Sequence, residues 1–527
     1  MASQASLDAY QAARAELIAS DRALRRDNAR IATASDAEKR ADEKIRALRA
    51  KEAQEIWNDE SIPNVFPGMG FLVCKDIIDR TELFQIVRKM PKGALLHAHL
   101  DACVDKSKLL AFAYEYPQMH IRVARGVTPE RMADQLPTFA PLAISPFTAG
   151  SSAGMSAAQG YVGDTWVPVA EARKAFDPAL GGPEGFDKWI LDTQMVNPGE
   201  AYGTHNSIRE IWIKFIQTFG VTSGIFRFRP LFRRYFRQVL LDSIEDGISY
   251  VEFRMNFQLK FMYGEDCEEN VPHREWIRDI EAIGKEVKAE FDAAGRGDEF
   301  FGIKIIYSVV RLLLPQELEW YTADVLALKK EFPDIIAGFD LVGDENVLRP
   351  LKYYLPQLLK LKADAKEAGL DLPLILHAGE TLTDGGEPDE NMYDAILLGA
   401  PRIGHGYSLV KHPKLMEICR ERGIAIEVCP ISNEILRLCS SMPAHPLPIL
   451  LNNGIPVSLN SDDPAVFNSM GMSYDFYQVI VSSEISGLST LAQLALDSLQ
   501  YSVLPDEQKK QAIAAWERRF AKFVAEL

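Results

Sequence analysis

The side chains best suited to metal and acid–base chemistry stand at or just beyond the ends of short apolar runs. His97 and His99 end the first run, and both imidazoles face one side because successive side chains of a strand alternate. Three imidazoles and one carboxylate would bind a zinc-type ion, leave a position for water and lower the pKa of that water towards neutrality. The residues at or just beyond the ends of the runs are His97, His99, His377, Glu380, His405, Asp462 and Asp463.

These apolar runs alternate with helical patterns from residue 93 onward. Nearly continuous hydrophobic strands separated by helices indicate a parallel sheet that is covered on both faces. Eight such units predict a closed (β/α)₈ barrel of the TIM type, with the chemistry at the carboxyl ends of the strands. The eight runs are Gly93–Asp101, Ile248–Asn256, Phe300–Arg311, Ile335–Gly343, Leu372–Glu380, Pro401–Ser408, Gly423–Ser432 and Gly454–Asp463.

The number of metal ions can be judged from the fourth run. Binuclear hydrolases on this fold typically place a bridging lysine at the end of the fourth strand. Here that strand ends with residues 339–343, which contain no lysine. We therefore expect one metal ion per chain, held by the three imidazoles and one acid of the Asp462–Asp463 pair. The other acid of the pair is left for a substrate.

The chain divides into a helical extension at residues 1–88 and a barrel at residues 89–527, with an insertion at about 117–205 after the first strand. The extension up to residue 62 contains no glycine or proline and predicts one helix from Ser6 to about Ala32 and another from Ser35 to about Trp57. Its apolar stripe is thin, so the helices need a partner. They either pack on their own barrel or form a dimerisation arm, and the pattern leaves both open.

Composition excludes several classes of partner. A formal net charge of −16 argues against a nucleic-acid substrate, although a local basic pocket could still hold a small anion. No apolar run is long enough to span a bilayer, and the first 60 residues lack the apolar core of a signal peptide. The six cysteines show no CxxC spacing and are typical of small buried hydrophobes in a reducing compartment. We expect a cytoplasmic protein.

Six motifs in order along the chain resemble those of the adenosine deaminases. The pattern is most similar to the adenosine deaminase-related growth factor branch, the adenosine deaminase 2 type, which carries an N-terminal dimerisation domain. The resemblance runs from about residue 84 to the end, apart from the insertion. The motifs are MPKGALLHAH at 90–99, GFDLVG at 338–343, HAGET at 377–381, RIGHG at 402–406, EVCPISN at 427–433 and SDDP at 461–464.

The resemblance implies a homodimeric, zinc-dependent hydrolase that converts adenosine or 2′-deoxyadenosine to the inosine product and ammonia. It assigns zinc to His97, His99, His377 and Asp462. It assigns proton donation to Glu380, orientation and deprotonation of the water to His405, and purine binding to Asp463 and Gly343. The segment from Trp212 to Phe219 and the acid Glu252 are implied to line the substrate site.

Elementary chemistry agrees with these roles. Attack at C6 of adenine moves electrons to N1, so Glu380 must carry a proton, which a dry pocket favours by raising its pKa. Asp463 can donate a hydrogen bond only if it is protonated. Leu100 stands where the growth-factor branch has an acid, and Asp101 follows it, so we expect Asp101 to bind the ribose 5′-hydroxyl. That branch is usually secreted with a disulfide in its insertion, whereas no cysteine lies between Cys103 and Cys267 here.

Three alternatives stay open. A deaminase of adenosine 5′-phosphates would need basic groups near the ribose, although a charge run is more often a solvated helix face. Asp101 would repel a phosphate and favours the nucleoside. A different metal hydrolase on this barrel, or a non-catalytic signalling or binding protein, is less consistent with a purine-binding pair and a proton donor beside the metal set. The candidate phosphate-binding residues are Lys214, Arg227, Arg229, Arg233, Arg234 and Arg237.

Overall fold

Eight parallel strands form the centre of the protein in a computed structural model that describes residues 4–58, 65–143, 153–205 and 207–527. Each of the eight predicted runs contains one of these strands, which confirms the (β/α)₈ prediction. We number only the barrel strands: β1 (Gly93–His99), β2 (Ile248–Asn256), β3 (Ile303–Val310), β4 (Ile336–Val342), β5 (Leu376–Ala378), β6 (Arg402–His405), β7 (Ala425–Val428) and β8 (Val457–Leu459).

The barrel is made of two four-stranded halves, β1–β4 and β5–β8, that meet at two seams. At one seam Phe339 forms a parallel bridge with Leu374. At the other, Ala98 bridges to Asp462. There the backbone N–H of His99 donates to the Asp462 carbonyl at 3.0 Å, and that of Asp462 donates to the His97 carbonyl at 3.1 Å. The first and last strands therefore close the barrel at three of the predicted metal ligands.

Helices cover the outer face of the barrel. Every residue of β4 is buried, as expected for a strand with side chains packed on both faces. None of the described helices combines the length and the apolar character needed to cross a membrane. The helices that accompany the barrel strands are Arg229–Glu245, His273–Ala293, Pro315–Glu331, Leu355–Glu367, Glu387–Leu397, Pro413–Arg422, Pro430–Ile435, Leu447–Asn452, Ser473–Val481, Leu488–Gln500 and Asp506–Glu526.

The connection between β1 and β2 is long, as the sequence predicted. It contains the helix Ile208–Phe226, whose first turn is fixed by a capping box between Ser207 and Glu210 and which precedes the helix Arg229–Glu245. Residues 144–152 of the insertion, which include part of its Gly/Ser/Ala-rich stretch, lie outside the described residues. The other elements of this connection are the helices Lys106–Tyr114, Val169–Ala175 and Gly182–Gln194 and the strands Met119–Arg122, Thr138–Pro141 and Val167–Pro168. A short hairpin, Phe261–Tyr263 with Glu269–Pro272, follows β2.

The prediction of one N-terminal helix from Ser6 to about Ala32 is wrong. The structure has two helices there, Gln4–Arg22 and Asn28–Thr33. Contacts with the barrel explain the break. The backbone N–H of Arg26 donates to the Leu451 carbonyl at 2.8 Å, and its guanidinium pairs with Asp497. These contacts hold residues 23–27 out of helical geometry, which local propensity could not reveal.

The second predicted helix is confirmed as Asp36–Glu55, with the Ser35 side chain accepting from the Glu38 N–H at 3.2 Å. This helix packs on the barrel, where Arg49 donates to the carbonyls of Ile480, Ser483 and Ser486. Two shorter helices, Phe71–Ile78 and Glu82–Lys89, lead into β1. The first helix, in contrast, buries none of its residues. The domain boundary at residues 88 and 89 stays a prediction.

Candidate active site

A cavity of about 430 Å³ opens at the carboxyl ends of the barrel strands. It brings together most of the residues that the sequence singled out, and the helix Ile208–Phe226 from the first connection supplies one wall. The lining residues are His99, Asp101, Trp212, Phe215, Ile216, Phe219, Gly220, Ser223, Asn256, Val310, Leu312, Val342, Gly343, Leu348, His377, Glu380, His405, Leu436, Asp462 and Asp463.

The predicted metal ligands converge at the floor of this cavity. Asp462 Oδ1 lies 3.3 Å from Nε2 of both His97 and His99. The ring centroid of His377 is 4.6 Å from that of His97 and 5.4 Å from that of His99. Ligand atoms of these three histidines all lie within 4.8 Å of one another. Asp462 has a φ of +58°, a strained conformation for a residue with a side chain, which is often found at functional sites.

The chemistry of this group fits a metal ion. His97 Nε2 and Asp462 Oδ1 are buried and have no hydrogen-bond partner among the described residues, which is costly unless another group satisfies them. Three imidazole nitrogens and a carboxylate oxygen are ligands that zinc accepts. The Cys429 thiol also lies close to His97 and Asp462. Burial raises the pKa of this thiol well above its usual range, and the nearby charge of Asp462 raises it further.

A buried network of charges orients two of the histidines. Asp340 accepts from His377 Nδ1 at 2.6 Å, and Glu427 bonds to His97 Nδ1 at 2.9 Å. Arg254 donates to both acids, at 2.8 Å and 2.7 Å. Such partners fix which ring nitrogen faces the metal and raise its basicity. Burial lowers the pKa of His377 to about 3, which keeps the ring neutral as a ligand must be.

Sequence reasoning assigned no role to Arg254, Asp340 or Glu427. A signal was present, because each is a charged residue inside a mostly apolar strand, where an unpaired charge is rare. The sequence does not show which of these charges pair, since they come from three different strands.

Glu380 lies beside the metal group as an acid kept neutral by its surroundings. Burial raises its pKa well above the usual range, and the nearby charges of Asp462, Glu345 and Asp344 raise it further. The Glu345 carboxylate accepts the backbone N–H of Glu380 at 2.9 Å and fixes the loop after β5. These surroundings favour the protonated form of Glu380 inside the cavity.

The residues predicted to bind the purine lie close to Glu380. Burial raises the pKa of Asp463 well above its usual range, with the charge of Asp462 adding to it, so this carboxyl can act as a donor. Gly343 has a φ of +106°, and a Cβ placed there would lie 2.7 Å from Leu348 Cδ1. Only glycine fits this backbone and leaves room for a flat base. Asp101 lines the same cavity farther along.

His405 lies between the metal group and Glu380. Its Nε2 is 3.7 Å from Glu380 Oε1 and 3.8 Å from Asp462 Oδ2. Its φ is +59°, a second strained backbone at this site. Burial lowers the pKa of His405 well below its usual range. A neutral imidazole here can hold an attacking oxygen without adding a charge.

Glu252 requires a correction, because it does not line the cavity. Its carboxylate pairs with Arg402 and accepts the backbone N–H of Val503 at 2.7 Å, deeper in the barrel. The pair with Arg402 is fully buried and the contact with Val503 is partly buried. Together they tie β2 to β6 and to the segment between the last two helices. In contrast, Trp212 and Phe219 line the cavity as expected.

The basic residues considered for phosphate binding are mostly neutralised elsewhere. Lys214 is buried against Glu200 at 3.0 Å and the Asp192 carbonyl at 2.7 Å. Among the residues that line the main cavity none is lysine or arginine. The other pairs are Arg229 and Arg233 with Asp279, Arg234 with Glu115, and Arg237 with Glu290.

Arg227 differs from the other basic residues of this run because it lies at the edge of the active site. It lines a side cavity of about 50 Å³ that shares Asp101, Ser223 and Asn256 with the main one. One of its amino groups bonds to the Phe261 carbonyl and to Glu269, while its Nε has no partner among the described residues.

Comparison with known sequences gives a consistent result. Residues 192–516 match the family model described as Adenosine deaminase. Adenosine deaminase 2 of Sus scrofa is 34% identical over 498 residues, which cover 93% of this chain and 89% of that protein. Adenosine deaminase 2-A of Danio rerio is 32% identical over 496 residues, which cover 94% and 90%.

Solved structures share the fold. Arabidopsis ADAL complexed with IMP superposes with a TM-score of 0.53 at 17% identity, covering 83% of this chain and 99% of that one. An amidohydrolase from Burkholderia ambifaria with bound Zn gives a TM-score of 0.51 at 19% identity, covering 87% and 97%. With the sequence matches, these results show that the chain belongs to the adenosine deaminase family of hydrolytic deaminases, in the branch of adenosine deaminase 2.

Proposed function

We propose that the protein binds one zinc ion and hydrolyses adenosine and 2′-deoxyadenosine to the corresponding inosine and ammonia. The observation that carries the proposal is a buried acid, Glu380, whose pKa is raised by burial in a cavity beside three histidines and Asp462. A carboxyl with a raised pKa suits protonation of N1, which is the step that makes C6 of adenine electrophilic.

The ligands of the ion would be His97, His99, His377 and Asp462. A zinc ion bound there supplies Lewis acidity and makes hydroxide available at neutral pH. Asp340 and Glu427 orient two of the imidazoles from behind. The cavity floor is largely closed to solvent, since His97, His377 and Asp462 are each at most 3% exposed.

The purine is held by groups that match its edge. Glu380 gives its proton to N1 as the oxygen of water adds to C6, and His405 holds that oxygen. Asp463, with its raised pKa, donates to N7, and the Gly343 N–H faces N3. The proton of the added hydroxyl then passes to the amino group, which leaves C6 as ammonia while the oxygen stays on the ring. The other proton of the water restores the acid form of Glu380. Trp212 and Phe219 provide apolar walls that exclude water from the base.

The ribose end of the cavity favours a nucleoside. Asp101 can accept a hydrogen bond from a 5′-hydroxyl but repels a phosphate. The second candidate function, deamination of adenosine 5′-phosphate, has one observation in its favour, which is Arg227 in the side cavity next to Asp101. Because Arg227 already pairs with Glu269 at 3.0 Å, we expect a phosphate to gain little there.

Ammonia release tests the proposal directly. Purified protein is incubated with adenosine, 2′-deoxyadenosine or adenosine 5′-monophosphate, before and after zinc is stripped. We expect kcat/KM for adenosine to exceed that for the monophosphate by at least about 100-fold, the scale set by desolvating an unmatched charge. Stripping should abolish activity, and added zinc should restore it. Faster turnover of the monophosphate, lost in an Arg227→Ala variant, would instead select the second candidate function.

We also propose a cytoplasmic homodimer. The helix Gln4–Arg22 has no buried residue, and exposed apolar side chains lie along it and just beyond, at Leu7, Tyr10, Leu17 and Leu24. A second copy of this chain would cover them and lower the cost of their exposure.

All six cysteines are free thiols, which agrees with a reducing compartment. Cell fractionation that found the protein outside the cytoplasm would refute the location.

The dimer can be tested by light scattering of the full chain and of a variant that lacks residues 1–22. We expect twice the chain mass for the full protein and a shift to the monomer mass for the shortened one. The double variant Leu7→Asp/Leu17→Asp keeps the helix and should weaken the dimer in the same way. A full chain that is monomeric at micromolar concentration would contradict the proposal.

A further inference from the structure

A buried chain of hydrogen bonds runs behind His405, on the side away from the cavity. The Leu447 backbone N–H lies 3.0 Å from His445 Nδ1. His445 Nε2 lies 3.0 Å from Asn433 Oδ1, and Asn433 Nδ2 lies 3.4 Å from His405 Nδ1. All three side chains are at most 3% exposed, so water cannot replace these bonds. Neither Asn433 nor His445 lines the cavity.

The direction of every bond in this chain follows from its first member. A backbone N–H can only donate, so His445 Nδ1 accepts. Burial without an acid partner lowers the pKa of His445 to about 3, and the neutral ring must then carry its proton on Nε2. That proton is donated to Asn433, which fixes the amide oxygen on this side. The Asn433 NH₂ group is left facing His405 Nδ1, which must accept.

The same conclusion follows from the cavity side of His405. The polar atoms nearest Nε2 are two carboxyl oxygens, one of Glu380 at 3.7 Å and one of Asp462 at 3.8 Å. Neither distance is that of a hydrogen bond, but the negative charge of the Asp462 carboxylate favours a proton on the nitrogen that it faces. Asn433 at Nδ1 and Asp462 near Nε2 therefore favour the same tautomer.

We propose that Asn433 and His445 are positioning residues that lock His405 in the tautomer with its proton on Nε2. His405 then presents an N–H donor, not a lone pair, to the oxygen that attacks C6. It holds that oxygen and stabilises the negative charge that develops on it, and in the resting enzyme it does not take up the proton of water. The inference deepens the proposed deamination and rests on it for its role in the reaction.

Three substitutions separate control of the tautomer from packing. Asn433→Asp keeps the size of the side chain and can still accept from His445, but its carboxylate cannot donate to His405. His405 must then place a proton on Nδ1. His445→Gln preserves both functions of the ring, since its oxygen can accept from Leu447 and its NH₂ group can donate to Asn433. His445→Leu removes both functions.

Nitrogen NMR of protein labelled with ¹⁵N-histidine reads the tautomers without requiring activity. The chain contains nine histidines, so the His405 and His445 signals are assigned by their loss in His405→Gln and His445→Gln. We expect protonated Nε2 and unprotonated Nδ1 for both rings in the unaltered protein, and a protonated Nδ1 of His405 in Asn433→Asp. An Nδ1-protonated His405 in the unaltered protein would overturn the proposal, whether or not the protein deaminates adenosine.

Kinetics on adenosine provides the second readout. We expect kcat to fall on the order of 100-fold in Asn433→Asp and about 10-fold in His445→Leu, with KM changed by less than about threefold. His445→Gln should recover most of the loss. His120→Leu is the control, because His120 is also buried, lies in the insertion, and bonds to the Gln118 carbonyl as its one partner among the described residues. It should lower Tm without lowering kcat. Unchanged kcat in Asn433→Asp, or equal losses in both His445 variants, would overturn the proposal.

Discussion

Glu380→Gln is expected to bind zinc and adenosine normally and to lose ~10²–10⁴-fold in kcat, the range for removing a general acid. The amide keeps the size and polarity of the side chain but has no acidic proton for N1. We expect the zinc set to stay intact, because the Glu380 carboxyl lies 3.7 Å from His405, which is not one of the four predicted ligands. The measurements are steady-state kinetics, zinc content by atomic emission, and binding of inosine by calorimetry.

Two outcomes would remove Glu380 from the mechanism. Turnover within about threefold of the unaltered enzyme would show that N1 receives its proton from another group. Loss of zinc together with activity would show that the carboxyl supports the metal site. Glu345→Gln is a useful partner variant, because it removes one of the charges that raise the pKa of Glu380 but leaves the acid in place. We expect it to keep measurable activity.

Asp462→Ala is expected to lose zinc, with affinity lowered by at least about 100-fold, since even partners that only support a ligand contribute 10–100-fold. Asp462 Oδ1 lies the same distance from His97 and His99, so its removal takes away the group at which the two imidazoles converge. Activity should disappear with the metal. Zinc affinity is measured by competition with a chromogenic chelator, and Tm is recorded to show that the barrel still folds.

The adjacent acid provides the matched control. Asp463 also lies near His99, and a ligand group that includes it is geometrically possible. If Asp462 is the ligand and Asp463 a purine donor, Asp463→Ala keeps zinc and raises KM for adenosine by about 10-fold or more, the effect of losing one hydrogen bond to a buried group. The reverse pattern, with zinc lost only in Asp463→Ala, would exchange the two roles.

The barrel could be predicted because its strands are buried on both faces and therefore read as continuous apolar runs. The exact ends could not. Residues 372–380 were predicted as one strand, whereas β5 covers only Leu376–Ala378. The residues beyond it, including Glu380, leave the sheet and line the cavity. The apolar pattern of the sequence does not show where the strand ends and this turn begins. The break after Arg22 was missed for a similar reason, because the Leu451 carbonyl and Asp497 that cause it lie more than 400 positions away.

The site could be predicted for residues that contact the metal or the substrate directly and belong to a single motif. His97, His99, His377, Asp462 and Asp463 converge as their places at strand ends required. Residues that act through others were not predictable. Glu252 was expected at the cavity, but its pairing with Arg402 draws it into the barrel interior. Asn433 belongs to a recognised motif, yet its effect on His405 depends on His445. His445 lies in a loop, so no helical or strand periodicity predicts that it is buried beside Asn433.

The seam between β1 and the end of β8 has a consequence for how the protein is made. His97 and Asp462 are 365 positions apart, and their contact cannot form until almost the whole chain has left the ribosome. Contacts of such long sequence separation form late and slowly, because a long loop must close first. We therefore expect the first half-barrel to collapse before the metal group exists. Capture of the ion would then mark the completion of folding, and a nascent chain ending before Asp462 should neither retain zinc nor close its barrel.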